Sequence, residues 1–478
     1  MTPYFIKKIP RPQLNFIFSL LFYLFMPALP AQDPYLPPQD SLVKKKLSQW
    51  QDLKFGLLMH WGTYSQWGIV ESWSLCNEDE DWCKRRGPYS HDYVLYKKKY
   101  EELQTSFNPK NLNPEKWAEA AKDAGMKYVV FTTKHHDGFC MFDTQLTDYK
   151  STSIKCPAQR DFTKEIFDSF RKKDFFIGAY FSKPDWHCPD YWYPYFATPD
   201  RNVNYNPKKY PEKWAAYEQF TKGQINELTT QYGRVDLLWL DGGWVRPFQK
   251  KNPAWVNSPY DQSIDMKGIA AMARKNQPGI LMVDRSVGGE FENYWTPEQH
   301  IPPKDEKLDY PWETCMTMGN SWSYVPNEQY KSTRDILINL CTIVSRGGNY
   351  LLNIAPSPDG TWDEEAYQRL KEIGAWMKIN GDCIYGTQRC GIINETDHYF
   401  YTQKADTIYC IFFKPKNGDY PSHFPVEFPQ KPGSEVRLLG TNEIVPYEWK
   451  EGMNWTITNI PQSLRTQEAI VFYFKKFK

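Results

Sequence analysis

The chain has 478 residues, too many for one ordinary hydrophobic core, so two domains are expected. Its 58 Lys and Arg nearly balance its 57 Asp and Glu, which leaves no electrostatic footprint for a nucleic acid or an acidic membrane surface. Aromatic residues make up 17%, with 19 Trp; such rings stack on sugar faces and equally fill a large core.

At the N-terminus, Lys7, Lys8 and Arg11 precede the apolar run Phe16 to Met26, and Pro-Ala-Leu-Pro-Ala31 follows. A basic start, a short apolar stretch and a small residue before the break read as an export signal over residues 1–31. The run is short for a membrane span, so a periplasmic or secreted protein, off the membrane after cleavage, is expected; an uncleaved anchor is the rival reading. Cys76 is the first cysteine, which excludes a lipid anchor at the cleavage site. The ten cysteines of an exported chain permit disulfides. Cys76–Cys83 and Cys383–Cys390 could close local loops, whereas Cys140, Cys315 and Cys341 lie in apolar contexts and read as buried thiols.

Residues 32–380 form the first expected domain, in which strand-like runs alternate with helical stretches. The first strand is Lys54 to His60. A helix from Asn113 to Gly125, with a capping Asn and Pro at its start, feeds a strand from Tyr128 to His135. The unit repeats: helix 161–173 before strand 175–181, helix 211–232 before strand 235–241, and helix 264–275 before strand 280–285. The Pro311-Trp-Glu segment and helix 333–345 lead to a last strand, 349–354. This repetition predicts a parallel sheet closed as a TIM-like (β/α)8 barrel, with an open doubly wound sheet as the rival. The absence of a Gly-rich phosphate loop after the first strand disfavours a nucleotide fold. From 381 to 478 short alternating runs, such as Thr407 to Phe413 and Ala469 to Phe474, predict an antiparallel β-sandwich domain.

Polar groups recur where these strands leave the core: His60, His135-His136-Asp137, Tyr180, Asp241, Asp284-Arg285, Trp312-Glu313 and Asn353. Burying so many polar groups without partners is costly, and convergence on one barrel mouth is the cheaper account. Three chemistries could use them. A metal site would take His60, His135, His136 and Asp241, but adjacent residues on a strand face opposite ways, which suits one ion poorly. A Ser or Cys triad lacks a Gly-x-Ser-x-Gly turn. Glycoside hydrolysis by two carboxylates remains, with Asp241, at the end of the apolar run Leu237 to Leu240, as the first of them.

The motifs Phe55-Gly-Leu-Leu-Met-His-Trp-Gly62, Lys134-His-His-Asp-Gly-Phe139, Leu238-Trp-Leu-Asp-Gly242, Pro311-Trp-Glu-Thr314 and Arg346-Gly-Gly-Asn-Tyr-Leu-Leu-Asn353, with Arg160-Asp161, resemble those of the α-L-fucosidases of glycoside hydrolase family 29. The resemblance spans roughly residues 45–385. It implies a barrel and a C-terminal sandwich, hydrolysis with retention of a terminal α-linked L-fucose on a glycan, and no metal or other cofactor. By the same resemblance Asp241 is the nucleophile and His60, His135 and His136 bind sugar hydroxyls. Tyr180 and Arg285 fall at strand ends that line the pocket, and Trp312 joins the substrate-binding set. Glu71 and Trp73 resemble a Glu-Trp pair of the family, with Ser72 intervening here. The acid/base is expected on a loop beyond Arg285: Glu298, in Thr296-Pro-Glu-Gln, is the first choice and Glu292 the second, ahead of Glu290 and Glu313. Phe139 or nearby Trp residues would read the fucose methyl, and Trp186, Tyr191, Trp192, Tyr193 and Trp295 would frame a longer glycan. The rival functions are a barrel glycosidase for a related sugar such as an α-L-galactoside, and a catalytically inactive fucose-binding protein.

Overall fold

The computed structural model describes residues 35–76, 83–194, 201–245, 260–285, 288–306, 308–390, 398–421, 423–427, 435–450, 454–458 and 467–475. The export signal read over residues 1–31 lies outside them.

Helix α1 (Ser41–Leu53) leads into strand β1 (Phe55–Met59), and helices α2 (Tyr93–Glu101) and α3 (Pro114–Asp123) precede β2 (Tyr128–Lys134). Then come α4 (Phe162–Arg171), β3 (Phe176–Ser182), α5 (Pro211–Thr230), β4 (Leu237–Asp241), α6 (Met266–Asn276) and β5 (Leu281–Met282). The run ends with β6 (Glu313–Thr317), α7 (Thr333–Ser345), β7 (Asn349–Asn353) and α8 (Glu364–Asn380). Local sequence sets the helix starts: Asn113 and Asp161 accept from the backbone N–H groups of Lys116 and Lys164, and Pro114 opens α3. Strands β1, β2, β4 and β7 are buried along their whole length. That is why most of them read as unbroken apolar runs.

Seven strands form one parallel sheet in the order β5-β4-β3-β2-β1-β7-β6. An extended segment, 294–298, runs parallel between its two edges: Val283 bridges Tyr294, Trp295 bridges Trp312, and Glu298 bridges Cys315. These bridges close the TIM-like barrel that the alternation predicted. The segment beyond Arg285 was expected to be a loop, so this eighth strand is a correction. Pro297 interrupts it, Gln299 turns to φ 53° just beyond, and isolated bridges rather than a regular ladder hold it.

Tyr128, Tyr180, Trp239 and Tyr294 fill the barrel with Leu58, Val130, Leu237, Leu281 and Leu351. Helix α1 closes the N-terminal end, where Trp50 stacks on Tyr294 at 4.1 Å. The interior is therefore packed, and chemistry is left to the C-terminal mouth.

Beyond α8 the strands become antiparallel. β8 (Gln388–Arg389), β9 (Tyr399–Lys404), β10 (Thr407–Phe413), β12 (Arg437–Leu438) and β15 (Ala469–Lys475) form one sheet in the order β12-β15-β10-β9-β8. A second sheet, β11-β14-β13, comprises β11 (His423–Glu427), β13 (Tyr447–Lys450) and β14 (Asn454–Thr458). Phe424 of the second sheet packs on Phe412 and Phe472 of the first, which makes the expected sandwich. It docks on the barrel helices, with the Trp376 indole donating to the Ala469 carbonyl at 3.0 Å. Cys140, Cys315 and Cys341 are buried thiols; Cys383 is also a free thiol, so the permitted link to Cys390 is not made.

Candidate active site

Asp241 is the last residue of β4 and stands nearly buried in the mouth, 9% exposed. The Tyr180 hydroxyl donates to its Oδ2 at 2.6 Å and Arg285 Nη1 to its Oδ1 at 2.9 Å. His136 Nε2 lies 3.6 Å from Oδ2. Gly242 follows at φ 82°, and a Cβ there would sit 2.1 Å from the Pro184 ring. The turn out of β4 thus demands glycine on both counts. Burial works against the Asp241 charge. The Arg285 guanidinium and the Tyr180 hydroxyl outweigh it and hold the carboxyl well below the usual carboxylate range.

Glu298 stands on the closing strand, and its Oε2 accepts from Arg285 Nη2 at 2.7 Å. Its side chain is 43% exposed, open to solvent at the mouth. One planar guanidinium therefore spans the two carboxylates, which a fork of donors can do and an ammonium cannot. The other carboxylates weighed for the acid role lie elsewhere. Asn293 N–H donates to the Met282 carbonyl, which sets Glu292 level with the start of β5. Glu298 lies six positions further along an extended chain, up to about 20 Å towards the other end of the barrel. The backbone carbonyl of Glu290 is held by Arg274, at the same end as Glu292.

Glu313 opens β6 and is fully buried inside the barrel, accepting from the Tyr128 hydroxyl at 2.6 Å and the Trp239 indole at 3.2 Å. Burial pushes its carboxyl up to about 7. Trp312 is not brought to the mouth either. It precedes β6, and its ring packs where a Cβ on Gly348 would come within 2.6 Å. The sequence reading took Trp312-Glu313 for a strand end, whereas the pair marks a strand start.

His60 follows β1, while His135 and His136 follow β2. The strand ends at Lys134, so the alternation rule no longer applies and both rings turn inward, 4.3 Å apart. His60 Nδ1 meets the Asn353 Oδ1 at 2.9 Å, and Asn353 Nδ2 donates to the Trp322 carbonyl. His60 therefore carries its proton on Nδ1 and offers the Nε2 lone pair. His136 Nδ1 meets the Ser182 hydroxyl at 2.5 Å, whose own proton goes to the Pro184 carbonyl. His136 likewise presents a lone pair at Nε2. The Ser72 hydroxyl accepts from the Asp137 N–H and also meets His135 Nδ1 at 2.5 Å, which leaves His135 Nε2 facing away from that contact. Burial lowers all three histidines, His136 to about 3, so the rings are neutral.

Glu71 Oε1 accepts from the Ser323 N–H at 2.7 Å, and burial pushes it up to about 7. Trp73 meets His136 edge-on at 5.2 Å. Three residues at this mouth were missed. Trp322 lies 5.1 Å from the His60 ring, Trp244 lies 5.4 Å from His136, and the Arg201 guanidinium covers both Trp73 and Trp244. The two tryptophans follow β6 and β4 by a few residues, a signal available in the sequence. Phe139, offered as a methyl-reading wall, is instead buried between Phe107 and Tyr149. Trp186, Tyr191 and Trp192, read as framing a longer glycan, are fully buried; Tyr193 is exposed and Trp295 belongs to the barrel wall. Among the described residues no group of three His, Cys, Asp or Glu is arranged to hold a metal ion.

A parallel barrel with two carboxylates on one guanidinium at its C-terminal mouth, ringed by neutral histidines and indoles, has the layout of a two-carboxylate glycoside hydrolase. The family model for α-L-fucosidase matches residues 23–382. The chain belongs to that family. It is 28% identical over 461 residues to an α-L-fucosidase of Branchiostoma floridae, covering 91% of this chain and 92% of that protein. The structure of α-L-fucosidase isoenzyme 1 from Paenibacillus thiaminolyticus aligns with a TM-score of 0.73 at 29% identity, over 92% of this chain and 100% of that one. The Thermotoga maritima α-fucosidase, solved in complex with fucose, aligns with a TM-score of 0.69 at 26% identity, over 92% and 100%.

Proposed function

We propose that this chain is a retaining exo-α-L-fucosidase that releases terminal α-linked L-fucose from a glycan or glycoconjugate, and that residues 1–31 direct its export to the periplasm or beyond. The observation that carries the reading is the Asp241–Arg285–Glu298 arrangement, at 2.9 and 2.7 Å. It is supported by family membership and by the fucose bound to the Thermotoga maritima relative.

In this mechanism an ionised Asp241 oxygen attacks the anomeric carbon while Glu298 gives its proton to the departing oxygen. A glycosyl ester forms, and Glu298 then takes a proton from the water that hydrolyses it. Arg285 serves both steps. Esterification removes the Asp241 charge and leaves the guanidinium to Glu298 alone, as Glu298 changes from acid to base. His60 and His136 accept sugar hydroxyl protons at Nε2, and His135 Nε2 pairs with a further hydroxyl. These fixed donor and acceptor positions carry most of the selectivity, because burial of the fucose methyl adds only about 1 kcal/mol.

The test is proton NMR of early turnover of an aryl α-L-fucoside, with the matching α-L-galactoside alongside. The α-anomer of fucose should appear first and the galactoside should react more slowly. A first-formed β-anomer, or binding without hydrolysis, would overturn the proposal.

A further inference from the structure

Glu313 takes no part in the chemistry above, yet it sits beneath the groups that perform it. Its two oxygens accept from the Tyr128 hydroxyl and the Trp239 indole N–H. Trp239 is two residues before Asp241 on β4, so both side chains project to the same face. The Tyr180 ring stacks on the Trp239 indole at 5.3 Å and 16°. The Arg285 guanidinium lies over the same indole at 4.7 Å. Tyr180 and Arg285 are the two groups that donate to the Asp241 carboxylate, at 2.6 and 2.9 Å. A single indole, pinned through its N–H, thus seats both partners of the proposed nucleophile.

We infer that Glu313 is a positioning residue for the reaction, acting through Trp239 to fix where Tyr180 and Arg285 meet Asp241. The inference rests on the fucosidase reading given above. Its physics has two parts. The hydrogen bond to Nε1 sets the tilt of an indole whose N–H has, among the described residues, the Glu313 carboxyl as its acceptor. In its ionised form the Glu313 carboxyl also pushes electron density onto the ring through this hydrogen bond, which makes its face a better seat for a guanidinium. Sub-ångström errors in that seat pass directly to the attacking oxygen. The rival is that Glu313 only satisfies two buried donors; its loss would then lower stability and leave the chemistry of the folded enzyme untouched.

The experiment compares Glu313→Gln, Trp239→Phe and the double variant with wild type. Glutamine keeps the volume and can still accept from Trp239 while donating to the Tyr128 oxygen, so only the charge and one acceptor are lost. The readouts are melting temperature and the single-turnover rate of fucosyl-enzyme formation from a dinitrophenyl α-L-fucoside, whose leaving group needs no acid. Glu313→Gln should slow that step by about ten- to a hundredfold with KM within about threefold of wild type. Trp239→Phe should slow it comparably, and the double variant should be no slower than Trp239→Phe alone, because Glu313 acts through that ring. A wild type that forms no adduct would sink the fucosidase reading itself. Wild-type adduct formation in a folded Glu313→Gln, or multiplying losses in the double variant, would overturn the positioning role instead. Should Glu313→Gln fail to fold, Trp239→Phe decides the matter, and an unchanged rate there refutes the inference.

Discussion

Replacing Arg285 by Met would strand two carboxylates that now share one cation. Arg285 and Asp241 are each only 13% exposed at the side chain, so the pair is largely shielded from water. Removing one partner of such a pair costs about 3–5 kcal/mol, because the other charge is left buried and uncompensated. That cost falls on the fold, and kcat should also drop by roughly a hundredfold or more, because the attacking oxygen loses the donor that fixes its place. The pH profile should move as well, and its sign follows from the direction of the shift. Asp241 is held below its ordinary 3.8, so its ionised form is present above that value and is lost only as pH falls through the still lower folded value. Without Arg285, burial and the facing Glu298 both raise it, and the acid limb of kcat must shift to higher pH. Arg285→Lys keeps a charge but not the fork, and should recover only part of the loss. The assay is kcat and KM on an aryl α-L-fucoside across the acid range. An Arg285→Met variant within about threefold of wild type, with an unmoved acid limb, would refute the reasoning.

Other outcomes follow from the same geometry. Glu298→Ala should lose about 10²–10⁴-fold on substrates with poor leaving groups and regain rate with azide on activated ones; Glu292→Ala, near the opposite end of the barrel, should stay close to wild type, and equal losses would contradict the placement. Trp312→Phe should leave KM unchanged while lowering the melting temperature, since its ring packs on Gly348 away from the mouth. Lys134→Met should destabilise the fold by about 3–5 kcal/mol in denaturant unfolding, because Lys134 and Asp185 form a 2.9 Å pair at 0% and 2% exposure. The Glu313 carboxyl is raised from 4.5 to about 7, so its contribution to stability is full at low pH and lost as pH rises through that window. Relative to Glu313→Gln, wild type should therefore weaken by roughly 3 kcal/mol on going from acid to mildly alkaline pH, read by unfolding at each.

Much of this architecture was legible in the sequence for a plain reason. A strand buried on both faces, such as β4, is written as an unbroken apolar run, and Asp241 at its end marks the point where chain meets solvent. Helices α3 and α4 announce themselves by Asn113 and Asp161. The closing strand at 294–298 does not, because isolated bridges hold it and Pro297 interrupts its pattern. Glu298 was accordingly placed on a loop by family resemblance rather than on the barrel wall. Trp312 and Glu313 were misplaced because β6 is only five residues long and carries polar groups at its start, so nothing in its composition tells one end from the other. His135 and His136 looked unsuited to a single metal ion because strand alternation was carried past the end of β2. The pairing of Arg285 with both carboxylates, and the proton positions on the histidines, depend on contacts between distant segments, which no local pattern encodes.

The account stands or falls with a covalent bond between fucose and Asp241. Incubation with 2-fluoro-fucosyl fluoride, digestion and mass spectrometry of the labelled peptide should find the sugar on the peptide that carries Leu238-Trp-Leu-Asp241-Gly. Label on any other side chain, or none on a protein that still turns over aryl fucosides, would contradict it.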